Sequence, residues 1–170
     1  MRKAKHNPSP NGAALRPVIR WTFGIAILPL LIAASLLAAP KRPNFSGDWE
    51  MDTVKSQLRP TKWNGLALAV EHKEPKLNIK VTLKYPQGSD YSYQIPLTTD
   101  GKQSSVDMGK NVRVYRANWL SPKLVIKWNE DGARTETWTL SQDGKTLTIV
   151  GSAKLTNGGT ERWKYVMIKK

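Results

Sequence analysis

The sequence predicts an all-β domain, a single antiparallel up-and-down β-barrel of about eight to ten strands, preceded by an N-terminal hydrophobic helix. Three observations carry this. From residue 43 onward, apolar and polar side chains alternate with period two through a series of short segments. Turn-forming residues separate those segments: Gly-Ser-Asp at 88–90, Asp-Gly at 100/101, 131/132 and 143/144, and Asn-Gly-Gly at 157–159. Ahead of them, Trp21 to Ala39 is one uncharged stretch of 19 residues with basic residues on both sides.

The basic segment 1–20 and the hydrophobic segment 21–40 are read as targeting sequence rather than as part of the fold. At about 1.5 Å per residue a helix over Trp21–Ala39 reaches roughly 28 Å, close to the hydrocarbon thickness of a bilayer. Pro29 would kink such a helix without preventing it from spanning. A cleaved signal normally ends in a small-x-small site, and here only Ala33 with Ser35 fits by size, so a cleaved signal peptide and an uncleaved membrane anchor both remain open. In either case Arg2, Lys3, Lys5, Arg16 and Arg20 stay in the cytoplasm during insertion, and the domain over 43–170 is delivered to the outside, periplasmic or secreted.

The domain has to hold itself together by packing, because the 170 residues include no cysteine. The formal charge of +14 suggests a nucleic-acid partner at first sight. Five of the 27 basic residues precede Lys41, however, which leaves 22 against 13 acids for the rest of the chain. Those lysines are scattered singly along alternating segments, as on a solvated outer face, rather than clustered in one patch, so no nucleic-acid partner is expected.

Nine strands are legible in order. Trp49 and Met51 alternate with Asp48, Glu50 and Asp52. Leu66, Leu68 and Val70 follow, then Leu77, Ile79, Val81 and Leu83, then Tyr91, Tyr93, Ile95 and Leu97. A fifth strand holds Val112 and Val114 in one phase and Ala117 and Trp119 in the other, which a bulge near Tyr115 or Arg116 would reconcile. Leu124, Ile126 and Trp128 come next, then Trp138 with Leu140, Leu147 with Ile149, and finally Trp163, Tyr165 and Met167. Helix has room only between Thr53 and Asn64, where Pro60 limits it to a turn or two. Connections this short make successive strands antiparallel neighbours, and a long meander removes its exposed edges best by closing on itself.

Asn44-Phe45-Ser46-Gly47-Asp48-Trp49, with Lys55 and Ser56 behind it, resembles the opening of secreted bacterial lipocalin-like proteins. The Gly-x-Trp in it is similar to the start of the lipocalin and fatty-acid-binding barrels. Thr137-Trp138-Thr139-Leu140-Ser141-Gln142-Asp143-Gly144-Lys145-Thr146-Leu147-Thr148 resembles the late hairpin of the same proteins. The resemblance implies a lipocalin-like (calycin) barrel over Asn44–Lys170, with Gly47 and Trp49 as structural residues plugging one barrel end. The chain departs from the pattern in two respects. It has no room for a lidding helix pair, and the Arg-x-Tyr that grips a fatty-acid carboxylate is missing, since Arg162 and Tyr165 are three residues apart.

No catalytic constellation is visible, and no enzyme, cofactor or metal is expected. His6 lies in the N-terminal tail and His72 at a strand end, where it reads as a surface residue. Two imidazoles so placed share no metal site and form no triad. Glu50 with Asp52, and Glu71 with Glu74, read as solvated. The six tryptophans after residue 40 serve first for packing across a lumen. A sharper reading has Tyr91, Tyr93, Trp128 and Tyr165 lining an apolar pocket, with Arg113 or Arg116 supplying a cation for an acidic head group. Trp63 would sit at a barrel mouth or on a membrane surface. The sequence therefore leaves two functions open: an extracytoplasmic binding module for a small hydrophobic ligand, or a non-catalytic structural or interaction domain of the envelope whose barrel is filled by its own side chains.

Overall fold

The computed structural model describes residues 42–58, 62–107, 109, 112–130 and 132–170. The segments 1–20 and 21–40, and with them the signal and the anchor, lie outside the described residues. Ten strands follow one another: β1 (Gly47–Met51), β2 (Gly65–Lys73), β3 (Lys76–Lys84), β4 (Tyr91–Thr98), β5 (Asp100–Asp107), β6 (Val112–Leu120), β7 (Lys123–Glu130), β8 (Gly132–Leu140), β9 (Thr146–Lys154) and β10 (Thr160–Lys169). They form one antiparallel sheet in the order β4-β3-β2-β1-β10-β9-β8-β7-β6-β5. The last strand pairs with the first, Met51 opposite Met167. The sheet thus curls into a nearly closed barrel whose two edges, β4 and β5, carry no ladder between them. No α-helix occurs among the described residues; Thr53–Lys55 is a turn, and Gln57 bridges to Lys164.

Two expectations for the strands need correcting. The ten strands fall within the expected eight to ten and exceed the nine legible ones by β5, which reads as a loop in the sequence. Its residues, DGKQSSVD, put only Val106 into the core, so it carries no alternation to detect. Asp100-Gly101 is accordingly not a hairpin turn but the site of a register shift, with Asp100 opposite Asn118 and Gln103 opposite Arg116. The bulge expected near Tyr115 or Arg116 is absent, and the register shift is a feature of β5 instead. β6 itself runs regularly, with Tyr115 and Ala117 buried inward and Val112 left 63% exposed outside.

The strand directions give the barrel two unlike ends. The turns around 73–76, 98–100, 120–123 and 140–146 gather at the end where the chain enters at Arg42, and the remaining turns gather at the other. The entry end is solid. Phe45 is completely buried, stacks on His72 and Trp119 at 5.7 and 5.8 Å, and meets the edge of Trp138 at 5.7 Å. Trp49, 1% exposed, donates its indole N–H to the Phe45 carbonyl at 2.9 Å. Gly47 has φ +136°, and a side chain there would collide with Lys169, whose ammonium sits 5.3 Å from the Trp49 ring. The missing Cβ therefore lets a cation lie across the plug.

His72 is not a surface residue. It is 7% exposed, its Nδ1 accepts the Phe45 N–H at 3.3 Å, and its Nε2 faces Glu74 Oε1 at 3.0 Å. Glu74 is not simply solvated either. It also accepts from Thr99 at 2.8 Å, Trp119 at 2.8 Å and Arg42 at 3.0 Å. Burial works against ionisation, yet the hydrogen bonds from Thr99, His72, Trp119 and Arg42 hold its carboxyl below the usual carboxylate range. Both residues sit beside a turn, where exposure is the natural expectation; the turn folds back onto the plug and hides His72, while Glu74 stays partly exposed and turns its carboxylate to the plug's donors.

Shortening Trp49 to Ala opens a void in this close-packed end and is expected to cost about 3–5 kcal/mol. The loss would appear as a lowered urea midpoint with an unchanged slope.

Candidate functional site

Beyond the plug, the barrel is hollow. A cavity of about 430 Å³ occupies the lumen toward the other end. Tyr91, lining it while 49% exposed, marks its mouth. The inward phase of each strand decides what the cavity offers. On one wall β2, β3 and β4 contribute the aliphatic side chains Leu66, Leu68, Ile79, Val81, Ile95 and Leu97, with Tyr91 and Tyr93 of β4 added toward the mouth. On the opposite wall β6, β7, β8 and β10 contribute Arg113, Tyr115, Trp128, Arg134, Glu136 and Trp163.

The ladder register explains how these polar residues meet. Tyr115 lies opposite Trp128, and Trp128 opposite Arg134, so the three form one rung across β6, β7 and β8. Tyr115 and Trp128 touch with ring centroids 5.4 Å apart. The next rung toward the plug runs Ala117, Ile126, Glu136, Gly151, Trp163. Gly151 has no side chain, and the Trp163 indole lies over it and reaches the first rung. The Arg134 guanidinium carbon is consequently 5.0 Å from the Trp128 ring centroid and 5.5 Å from that of Trp163. A half-buried cation beside two indoles is attracted by both rings, and more strongly than at a fully exposed site. Glu136, 9% exposed, accepts from the Trp138 indole at 3.4 Å.

All five residues anticipated for the site, Tyr91, Tyr93, Arg113, Trp128 and Tyr165, line this cavity. Tyr91 and Tyr93 stand 5.8 Å apart at the mouth side of β4, and Tyr165 meets Trp63 edge-on at 5.9 Å. Trp63 also lines the cavity. The alternative cation, Arg116, is outside the barrel and exposed, with its guanidinium on Gln103 at 3.0 Å. Sequence reasoning misses Arg134, Glu136, Trp163 and Tyr115. A signal for the first two is present in the sequence: once Trp138 and Leu140 are assigned inward, period two places 134 and 136 on the same face. No group of three or more His, Asp or Glu side chains among the described residues is arranged to hold a metal ion.

No protein-family model matches the sequence, and no curated protein matches it. Solved structures do resemble the fold. A secretory abundant heat soluble protein from Ramazzottius varieornatus superposes with a TM-score of 0.59 at 9% identity, over 78% of this chain and 100% of the other. The REP1-NXSQ fatty acid transporter, in a mutant form, gives 0.56 at 7% identity, over 74% and 98%. A zebrafish ileal bile acid-binding protein complexed with cholic acid gives 0.50 at 15% identity, over 74% and 98%. At such identities the likeness shows the barrel fold alone.

One consequence of the lumen can be measured without a ligand. Burial, first of all, pushes the Tyr93 phenol up to about 12; Tyr115 and Glu136 push the same way, while Arg113 and Arg134 oppose them. An unfolded chain releases that proton near 10.0, so Tyr93 contributes stability that is fully present below this pH and is lost as pH rises toward 12. Urea midpoints measured across that window should fall with pH, and fall less steeply in Tyr93→Phe.

Proposed function

We propose that the domain is an extracytoplasmic lipocalin-like binding module that holds a small amphipathic acid in its lumen, without chemistry. The observation that carries this is the two-sided cavity: about 430 Å³, within the roughly 300–1,000 Å³ usual for small-molecule pockets, with an aliphatic wall facing a cationic one. Two guanidiniums line it against one carboxylate, so the wall is positive on balance. A ligand carboxylate matches that sign and accepts well from planar guanidinium donors. The Trp128 indole N–H is also buried without a hydrogen-bond partner among the described residues, which adds a donor to the same wall. The apolar part of such a ligand would lie along Leu66, Leu68, Ile79, Val81 and Ile95. Names of two of the similar barrels, a bile acid-binding protein and a fatty acid transporter, concern acids of this build.

The other reading, a structural domain with a lumen filled by its own side chains, has this hollow against it, because a filled barrel packs to the density of other protein interiors. Tyr93→Ala and Trp128→Ala separate the two. In a binding module each should weaken a fluorescent fatty acid about tenfold or more while costing little stability, since one side of each ring already faces space. In a filled barrel each should cost several kcal/mol in proportion to the void left. Large stability losses with no saturable binding to the parent protein would end the binding reading.

The extracytoplasmic location rests on the segment over 21–40. An anchored protein should stay in the membrane pellet through a carbonate wash and carry its full mass. A cleaved one should be soluble, with its N-terminus between Ser35 and Lys41.

A further inference from the structure

We infer that Gly151 is a specificity-determining position of the lumen, the residue that lets the cavity tell an acid from the neutral molecule of the same shape. This rests on the binding function proposed above and says how that function is built. Gly151 lies in the middle of β9, directly opposite Glu136 on β8 and Trp163 on β10. It occupies no turn, and its φ is not in the left-handed region, so glycine is not required there by the backbone. A Cβ at this position would point into the six-membered ring and Nε1 of Trp163, well inside contact distance of Cε2, Cζ2 and Nε1. The ring is 3% exposed and lies beside Tyr165, with centroids 6.5 Å apart, so it cannot retreat toward its own strand.

Glycine in mid-strand weakens a sheet and removes a side chain from the core. What it permits here is an indole lying flat across a whole strand. Trp163 belongs to β10 but works on β8, two strands away, where it forms one face of the slot that holds Arg134; Trp128 forms the other. Any larger residue at 151 lifts Trp163 into the lumen. The slot then loses a face, Arg134 gains rotamer freedom, and the acid-binding geometry becomes one of many rather than the only one. Preorganisation is where affinity for the charged group would be lost, while the aliphatic wall across the barrel stays as it was.

The test compares dodecanoate with dodecanol, each displacing the neutral dye Nile red from the full chain. The parent should prefer dodecanoate by about tenfold or more, as expected for a charge-assisted contact, and Arg134→Gln should abolish the preference. Gly151→Val should reduce it most of the way to the Arg134→Gln value, with dodecanol affinity changed far less. Trp163→Leu, with Gly151 left in place, should do the same by removing the brace itself, and this variant decides the matter if Gly151→Val does not fold. Val150→Ala, on the outer face of the same strand, should leave the preference intact. Folded Gly151→Val or Trp163→Leu protein that keeps the parent's preference would overturn the role of Gly151 and leave the binding function standing. A parent that binds neither compound would overturn both.

Discussion

The hollow depends on the plug. A ten-stranded barrel with no disulfide and, among the described residues, no helix to lid it must obtain its cohesion from side chains, and it concentrates them at one end. Phe45, Trp49, Trp119 and Trp138 fill the girth there, backed by the fully buried Leu77, Leu124, Leu147 and Met167. The Glu74 carboxylate binds this end together, taking hydrogen bonds from Arg42 before β1, from His72 on β2, from Thr99 between β4 and β5, and from Trp119 on β6. Four separate stretches of chain thus converge on one pair of oxygens. One of them, Thr99, is the link between β4 and β5, so a polar knot stands at the end of the seam where the ladder hydrogen bonds are missing.

With cohesion secured at one end, the other can leave space unfilled and bury charge, two features that each lower stability. An empty cavity forfeits the dispersion contacts that a packed core would make, and guanidiniums removed from water need compensation. The barrel offsets the second cost with aromatic faces. Arg134 lies between two indoles, and Tyr93 faces the same cluster from the opposite wall with its phenol kept protonated by burial. The lumen is therefore polarised side to side rather than end to end, and a ligand would lie with its charge on the β6–β8 wall and its apolar body on the β2–β4 wall.

The strands with clean alternation are legible because each satisfies one condition, a buried face against a wet one. Leu77, Ile79, Val81 and Leu83 between Asn78, Lys80, Thr82 and Lys84 illustrate it in β3. Where that condition fails, reading by pattern fails with it. β5 has one partner, one core residue and a polar remainder, so it looks like a loop. The inward set of β6 begins with Arg113 while Val112 points outward, so hydrophobicity gives the wrong phase for the first half of the strand and suggests a bulge in the wrong place. The site shows the same limit. Tyr91, Tyr93, Trp128 and Tyr165 are found because aromatic residues at inward positions look like lining. Arg134 and Glu136 escape notice because charged residues are read as outward by default, although the phase set by Trp138 already carries them inward. Gly151 has no signal at all, since its meaning lies in a ring that arrives from the next strand.

The seam between β4 and β5 shows how the barrel manages the edges it does not pair. Proline in a sheet is confined to strands where its missing N–H is not required, and Pro96 sits in β4, which has β3 as its only ladder partner. On the facing edge the register shift between Asp100 and Gln103 disturbs the start of β5, and Lys102, Gln103, Ser104 and Ser105 present nothing apolar to a passing strand. Proline, a bulge and polar side chains are the devices that keep open edges from templating the addition of another chain. Their presence on both sides of one seam means that this gap is built into the sequence rather than left by an incomplete sheet. The same gap lies alongside the wall that carries Tyr93, Ile95 and Leu97, so the part of the barrel least constrained by backbone hydrogen bonds is also the apolar wall against which a ligand body would rest. A wall of that kind can adjust its girth to bodies of different width, whereas the Arg134 slot, locked in the continuous ladders from β6 to β10, cannot. Under the proposed binding function, selectivity by charge with tolerance of shape follows from that division.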